Sequence, residues 1–235
     1  MESETAGLHD LRMGSPERLA FFLTQRLKNP LPGLEAHKLM MPPDRLSRLE
    51  QYASEIPQAR PGAVALVLFP ESNVWNFIAI RRQNRPGDVH SAQVALPGGA
   101  VEPGDQRPLF AALREAEEEV GLRINPHQVC GPLTPVYIPP SRFLVHPFLA
   151  VLAEKPSFQI QAEEVAEVLV FPVGLLLKNE VRQKADFLTS YGRLKNYPCF
   201  RLGDTLIWGA TAMILSELAF ILTTDHKAFH PNEGH

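Results

Sequence analysis

The sequence predicts an α/β fold, in which the strands of a central sheet are combined with helices. Short apolar runs rich in Val, Ile and Phe begin at Gly62, and Pro, Asn and Ser bound them as they bound strands. Other segments repeat their apolar residues at helical spacing, both before Gly62 and near the end of the chain. A diglycine loop followed by a charged helix joins the two kinds of element.

An N-terminal helical extension is predicted over residues 1–60. Leu, Phe and Ile recur at helical spacing from about Pro16 to Leu27 and from about Pro43 to Ile56, and the Pro-rich segment NPLPGLEAH connects the two runs. The first ten residues, MESETAGLHD, are acidic and polar, whereas a secretory signal has a basic start followed by an apolar run. We therefore expect a protein that is not exported.

Residues 61–223 are predicted to form the main domain, and residues 224–235 a polar tail. The predicted strands are AVALVLFP, WNFIAIRR, LTPVYIP, FLVHPFLAVLA and EVLVFPV. The loop LPGGAVEPGD and the helix LFAALREAEEEV lie between the second and third of these strands, and Gly121 is expected to end that helix. A Leu-rich helix, a strand around Tyr197 to Leu202 and a buried helix at Thr205 to Leu222 complete the domain.

Composition restricts the partners and the compartment. The formal charge of -3 and the pI near 6.2 argue against nucleic-acid binding, which depends on an excess of Lys and Arg. Cys130 and Cys199 lack the spacing of a zinc site or a disulfide framework, so reduced thiols in the cytoplasm fit best. Polar residues interrupt the apolar stretch from Thr205 to Leu222, which favours a buried helix over a membrane span. We expect no nucleic-acid or membrane partner.

Three carboxylates share one face of the predicted charged helix. At about 100° per residue, Glu115, Glu118 and Glu119 fall within a sector roughly 100° wide. Their mutual repulsion would be relieved by a cation, and carboxylate oxygens suit Mg²⁺ or Mn²⁺. Arg114 stands four residues before Glu118 and can hold that side chain in place. The alternative is a solvated acidic face, which the adjacent glycine loop makes the weaker hypothesis.

The diglycine of the loop predicts a close backbone approach to that helix face. Gly98 and Gly99 can adopt conformations that are closed to other residues, so the main-chain carbonyl of Gly98 is expected to be a further metal ligand. Metal ions on a carboxylate helix can bridge diphosphate oxygens and lower the pKa of a bound water. The pattern therefore favours hydrolysis of a phosphoanhydride.

The segment GGAVEPGDQRPLFAALREAEEEVGL resembles the Nudix box, G-x5-E-x7-R-E-U-x-E-E-x-G-U, where U is an apolar residue. The matching residues are Gly99, Arg114, Glu115, Glu118, Glu119 and Gly121. The resemblance implies an α/β/α sandwich with a mixed central sheet. It also implies that Glu115 and Glu119 bind the metal, that Glu118 assists and that Arg114 orients them.

Two departures from the box point to a subgroup of the family. Asp105 replaces the first Glu, and eight residues instead of seven separate it from Arg114. This spacing is similar to that of the Nudix enzymes that hydrolyse coenzyme A and its thioesters. The resemblance implies adenosine 3′,5′-bisphosphate and phosphopantetheine as products, and a homodimer.

A second hypothesis keeps the chemistry and changes the substrate. The coenzyme A signature before the box is only partly kept, since His90, Val94 and Pro97 fit it whereas Asp88 and Ala92 replace its Arg and Gly. That departure favours ADP-ribose, another dinucleotide or a nucleotide sugar. A third hypothesis, a binding module with the Nudix fold and no catalysis, is disfavoured by the intact acidic residues of the helix.

Enzymes of this family often take another carboxylate, as base or ligand, from a distant loop. Glu163, Glu164 and Glu167 are the candidates, and Glu164 is assigned because Glu164-Val165 matches the subgroup. The alternative is that these residues are surface charges.

Substrate binding is assigned to cations outside the box. Arg82, His90 and Arg142 are predicted to bind substrate phosphates, because guanidinium groups bind phosphates bidentately and His90 matches the subgroup signature. The alternative for each arginine is an ordinary surface position. Tyr137, Phe143 and Phe148 could stack on an adenine, with core packing favoured for the two phenylalanines. Trp208 is assigned to the core.

Overall fold

A computed structural model describes residues 15–83, 93–189 and 192–223. His90, which we predicted to bind substrate, lies outside the described residues. The first 14 residues and the predicted tail at 224–235 lie outside them as well.

From Ser15 onward, where the structure describes the chain, four short α-helices precede the sheet. They are α1 (Pro16–Arg26), α2 (Gly33–Lys38), α3 (Pro43–Leu46) and α4 (Leu49–Glu55). Ser15 caps α1 by accepting a hydrogen bond from the Arg18 amide at 3.4 Å, and Pro16 occupies the first turn. The first predicted helix is confirmed. The second is wrong as one continuous helix, because Ser47 and Arg48 separate α3 from α4. The Pro-rich link contains α2, which the sequence did not predict.

The central sheet is mixed. Within the described residues its strands are β1 (Arg60–Glu71), β2 (Val74–Arg82), β3 (Val94–Ala95), β4 (Gly98–Ala100), β5 (Val129–Pro132), β6 (Val136–Ile138), β7 (Phe143–Val151) and β8 (Val165–Pro172). The order β3-β2-β1-β7-β5 forms its main path, and β4, β6 and β8 pair with β1, β7 and β2. Strands β1 and β7 are parallel, with Ala65 opposite Phe148, whereas the other pairs are antiparallel. The predicted mixed sheet is confirmed.

Helices cover both faces of this sheet. The helices are α5 (Pro108–Val120) and α6 (Gly209–Thr223). Alternate residues of β1, including Ala65 and Val67, pack in one cluster with the buried alanines of α5. Leu66 and Leu68 point to the other face and pack in a second cluster with α1 and α6. This layering confirms the α/β/α sandwich.

A second, smaller sheet follows β8. It is antiparallel, in the order β11-β10-β9, and consists of β9 (Arg182–Thr189), β10 (Gly192–Leu202) and β11 (Thr205–Trp208). The predicted strand at 197–202 is part of β10. The predicted helix from Thr205 is wrong in its first four residues, because these pair with β10 and α6 begins at Gly209. The predicted Leu-rich helix is a short 3-10 turn at Val173–Leu177.

Helix α6 is the most apolar helix of the described chain, and it is 15 residues long. Within the residues that the structure describes, no helix combines the length and the apolar character needed to cross a bilayer.

Candidate active site

Helix α5 presents an apolar face to the sheet and an acidic face to the two glycines, Gly98 and Gly99. Pro108 lies in its first turn, and Gly121 ends it in the left-handed conformation with φ 69°, as predicted. Ala112 and Ala116 are fully buried against the sheet. Small side chains at these positions let the helix lie close to β1, so the carboxylates of Glu115 and Glu119 reach the two glycines of β4.

Three carboxylates from two segments meet at the end of this helix. Glu115, Glu119 and Glu164 each offer an oxygen, and these oxygens all lie within 4.8 Å of one another. Glu164 belongs to the turn before β8. Main-chain hydrogen bonds hold that segment against α5 and the end of β2. The Gln161 amide donates to the Glu119 carbonyl at 2.9 Å, and the Gln83 amide, just after β2, donates to the Glu164 carbonyl at 2.8 Å. The geometry therefore brings the predicted Glu164 to the predicted helix.

The other predicted carboxylates lie outside this group of three. Glu118 is half exposed and accepts a hydrogen bond from Arg114 at 2.9 Å, so its role as a metal ligand stays a prediction. Glu163 is exposed, and Glu167 pairs with Arg81 at 3.2 Å. Of the three distant candidates, Glu164 is the one that lies with Glu115 and Glu119, and its role stays a prediction.

Burial makes this acidic group hard to ionise completely. Glu119 is 1% exposed, and its burial raises its pKa to about 7, although the Gly98 amide at 2.9 Å and Arg82 at 3.6 Å favour the charged form. Burial raises the pKa of Glu115 as well, and the charge of Glu164 adds to this. A divalent cation would relieve both effects, and a set of carboxylate oxygens fits Mg²⁺ or Mn²⁺.

Arg114 ties the acidic face to the glycine loop. Its Nε and Nη2 donate to the two carboxylate oxygens of Asp105 at 3.2 and 3.0 Å, and Nη1 donates to Glu115 and Glu118 at 2.9 Å each. The Arg114 guanidinium thereby lowers the pKa of Asp105 and holds the rotamer of Glu115. The sequence predicted the orienting role of Arg114 and missed its anchor, Asp105.

Two glycines allow the loop to reach the helix. A Cβ at Gly98 would lie 2.2 Å from the Ala63 carbonyl oxygen, and a Cβ at Gly99 would lie 2.5 Å from the Glu115 carboxylate. Gly98 is in the site through its amide, which donates to Glu119. Its carbonyl as a metal ligand stays a prediction.

Replacing Gly99 with Ala is expected to lower kcat about a hundredfold, because the new methyl group must displace the Glu115 carboxylate. The fold should survive, since the atoms that move are the end of a flexible side chain. Steady-state kinetics with Mg²⁺ and a thermal melt measure both effects. Gly104→Ala is the matched control in the same loop, because nothing lies within 4 Å of the added Cβ. Equal rates in the two variants would contradict the close contact.

A cavity of about 560 Å³ opens beside the glycine loop. Gly98, Gly99 and Arg82 line it, and the Arg82 guanidinium lies 3.6 Å from Glu119. Substrate binding by Arg82 stays a prediction. Arg142 is exposed and does not line the cavity; its carbonyl accepts the Arg60 amide at 2.8 Å. Substrate binding by Arg142 stays a prediction.

Two of the aromatic residues line this cavity. Phe143 does so with Arg60 stacked 4.4 Å from its ring centre. Trp208 was expected in the core, yet it is half-buried, lines the cavity and stacks on Phe187 with 4.7 Å between ring centres. Tyr137 donates to Glu55 at 2.8 Å, and Phe148 packs against the cluster beneath α5.

The raised pKa of Glu119 predicts a pH dependence of stability in the absence of metal. Between the ordinary pKa of Glu, near 4.5, and about 7, the folded state binds a proton that the unfolded state has lost. Stability from this group is therefore lost as the pH rises through that window, by up to about 1.4 kcal/mol per pH unit. In chelator, Glu119→Gln should gain stability relative to wild type between pH 5 and 7.5. If the unfolding free energies of Glu119→Gln and wild type differed by the same amount at every pH in this range, the raised pKa of Glu119 would be refuted.

Comparison with known proteins identifies relatives of this site. The family model described as NUDIX domain matches residues 59–191. The human protein named mitochondrial coenzyme A diphosphatase NUDT8 is 34% identical over 175 residues, which cover 72% of this chain and 73% of that protein. The uncharacterized Nudix hydrolase NudL of Photorhabdus laumondii is 29% identical, covering 77% and 90%. The NUDIX domain of Shewanella oneidensis NrtR, solved with ADP ribose, aligns with a TM-score of 0.43 and 19% identity, covering 55% and 85%.

Proposed function

The chain belongs to the Nudix hydrolase family and is a pyrophosphohydrolase, and from that premise we propose that it hydrolyses coenzyme A or its thioesters. The products would be adenosine 3′,5′-bisphosphate and phosphopantetheine or its acyl form. The observation that carries the proposed chemistry is the meeting of Glu115, Glu119 and Glu164 beside the cavity. The choice of substrate is supported by the spacing between Asp105 and Arg114 and by the name of the human relative.

We propose Mg²⁺ or Mn²⁺ as the cofactor, held by Glu115, Glu119 and Glu164, with Glu118 and the Gly98 carbonyl as further ligands. A bound divalent cation would activate a water and neutralise charge on the diphosphate. The residues of the chain supply the geometry. Arg114 fixes Glu115, and the Gly98 amide fixes Glu119.

Two further residues have proposed roles beside these ligands. Arg82 lines the cavity 3.6 Å from Glu119, so its guanidinium can bind a substrate phosphate next to the carboxylates. Glu164 comes from another segment than α5 and is less buried than Glu119, which suits a group that exchanges protons with solvent. We therefore propose Glu164 as the general base or as an additional ligand.

A substrate panel tests this proposal. Products of coenzyme A, acetyl-coenzyme A, ADP-ribose, a dinucleoside polyphosphate and a nucleotide sugar would be identified by mass spectrometry with Mg²⁺, with Mn²⁺ and with chelator. We expect kcat/KM for coenzyme A or its thioester to exceed the others at least tenfold, and no turnover in chelator. A preference for ADP-ribose would establish the second hypothesis, which the departures before the box favour. No turnover of any diphosphate would support a binding module.

The remaining assignments concern the whole protein. We propose that it acts in the cytoplasm on a small nucleoside diphosphate derivative, and that it forms a homodimer. The proposed organisation is a helical extension at 1–60, the hydrolase domain at 61–223 and a tail at 224–235. The human relative is named a mitochondrial protein, so fractionation of cells is the relevant test of the compartment. Light scattering on the full chain tests the dimer.

A further inference from the structure

The N-terminal helical extension forms one wall of the cavity. Pro42, Asp44, Arg45 and Tyr52 line it from α3 and α4, facing residues of the small sheet. The hydroxyl of Tyr197 on β10 donates to Asp44 at 2.8 Å, which fixes α3 against that sheet. The extension therefore packs on the domain and also contributes residues to the cavity.

Arg45 brings an unsatisfied cation to this wall. Its Nε is enclosed and has no hydrogen-bond partner among the described residues, and no carboxylate of that part of the chain lies within 4 Å of its guanidinium. Burial lowers the pKa of Arg45, the direction expected for a desolvated cation, although arginine stays charged. Arg45 lines the cavity, so its guanidinium can meet a ligand with anionic oxygens there, and such a ligand would offset the cost of desolvating the cation.

The surroundings of Arg45 fit a phosphorylated nucleoside. Trp208 lines the same cavity, with Tyr197 edge-on to it at 6.3 Å between ring centres, and such an aromatic wall can stack on a base. Gly209 and Ala210, at the N-terminal end of α6, also line the cavity, and that end of a helix favours an anion. A planar guanidinium matches the oxygens of a phosphate.

Among the described residues, two cations line the cavity, and they lie on separate elements. Arg82, on β2, lies beside the carboxylates at which hydrolysis of the diphosphate is proposed. Arg45, on α3, follows Asp44, which accepts the hydrogen bond from Tyr197. We propose that Arg45 binds a second anion of the substrate, a phosphate monoester on the nucleoside outside the hydrolysed diphosphate. Arg45 then selects substrates that carry this group. The inference rests on the proposed function and assigns a specificity residue to it.

The kinetic test compares two substrates that differ only in that phosphate. We expect Arg45→Gln to lower kcat/KM for coenzyme A by roughly 10- to 100-fold, mainly through KM, and for dephospho-coenzyme A by no more than about threefold. Arg45→Lys should recover part of the loss. Arg48→Gln is the matched control, because Arg48 is exposed and does not line the cavity. Equal losses on both substrates, or no loss on coenzyme A, would overturn the proposal.

A binding measurement separates this proposal from the hydrolase assignment. Isothermal titration of the full chain with adenosine 3′,5′-bisphosphate and with AMP needs no turnover. Wild type should bind the bisphosphate at least tenfold more tightly than AMP. In Arg45→Gln the ratio of the two dissociation constants should fall to about two. If neither coenzyme A nor dephospho-coenzyme A is hydrolysed but the affinity ratio falls in Arg45→Gln, the proposed function fails and the role of Arg45 stands. An unchanged ratio in the variant rejects Arg45 as the phosphate ligand.

Discussion

Replacing Glu119 with Gln is expected to lower kcat by roughly a thousandfold or more, about 4 kcal/mol of barrier, in a protein that remains folded. Glu119 is the most buried of the three clustered carboxylates, and its oxygens lie within reach of Glu115 and Glu164. An amide keeps the shape and an acceptor for the Gly98 amide, but it removes the negative charge that a divalent cation needs. This variant should therefore keep its fold and lose most of its activity.

The measurement is initial-rate kinetics over a range of Mg²⁺ concentrations, together with calorimetric titration of the metal. We expect both the rate and the metal affinity to fall. Glu117→Gln serves as the control on the same helix, because Glu117 is exposed, pairs with Arg123 at 2.6 Å and lies outside the acidic group. Its rate should stay within about twofold of wild type. A Glu119→Gln enzyme with the wild-type rate would remove Glu119 from the metal site.

The acidic helix could be predicted from sequence because its information is local. Residues four apart, such as Glu115 and Glu119, share one face of any α-helix. The diglycine shortly before the helix indicates that the backbone can approach this face closely. Glu164 was assigned from a matching motif, and its position depends on main-chain bonds between the 159–161 segment and the end of α5. Asp105 was missed because spacing alone does not show that its side chain turns toward Arg114.

The cavity walls could not be predicted, because long-range contacts build them. Tyr197 and Asp44 meet across 153 residues, and no periodicity in either segment indicates that pairing. Trp208 was assigned to the core on the usual burial of large aromatic residues, whereas pairing of β11 with β10 places it at the cavity. The apolar stretch from Thr205 was expected to be all helix, since a short apolar run fits either a strand or a buried helix.

The second large effect is expected for Glu217, which joins the N-terminal extension to the domain. This carboxylate on α6 is fully buried and accepts hydrogen bonds from the Gly33 amide at 3.1 Å, and from the Thr134 amide and hydroxyl at 3.0 and 2.6 Å. His37 Nε2 lies 3.4 Å from Oε2, the same oxygen that accepts the hydrogen bond from the Thr134 amide. Burial alone would raise the pKa of Glu217, but the hydrogen bonds from His37 and Thr134 outweigh it and lower that pKa.

Glu217→Ala is expected to lower the free energy of unfolding by about 3–5 kcal/mol and the melting temperature by about 10 °C. The substitution leaves the Gly33 and Thr134 amides without their acceptor and creates a cavity. Thermal melts measure the loss, and limited proteolysis should show earlier cleavage near α2, where Gly33 and His37 lose their partner. Glu35→Ala is the matched control on α2, since the Glu35 side chain is 62% exposed and its pair with Lys38 should contribute less than about 1 kcal/mol. If Glu217→Ala melted at the same temperature as wild type, the network around Glu217 would have no stabilising role.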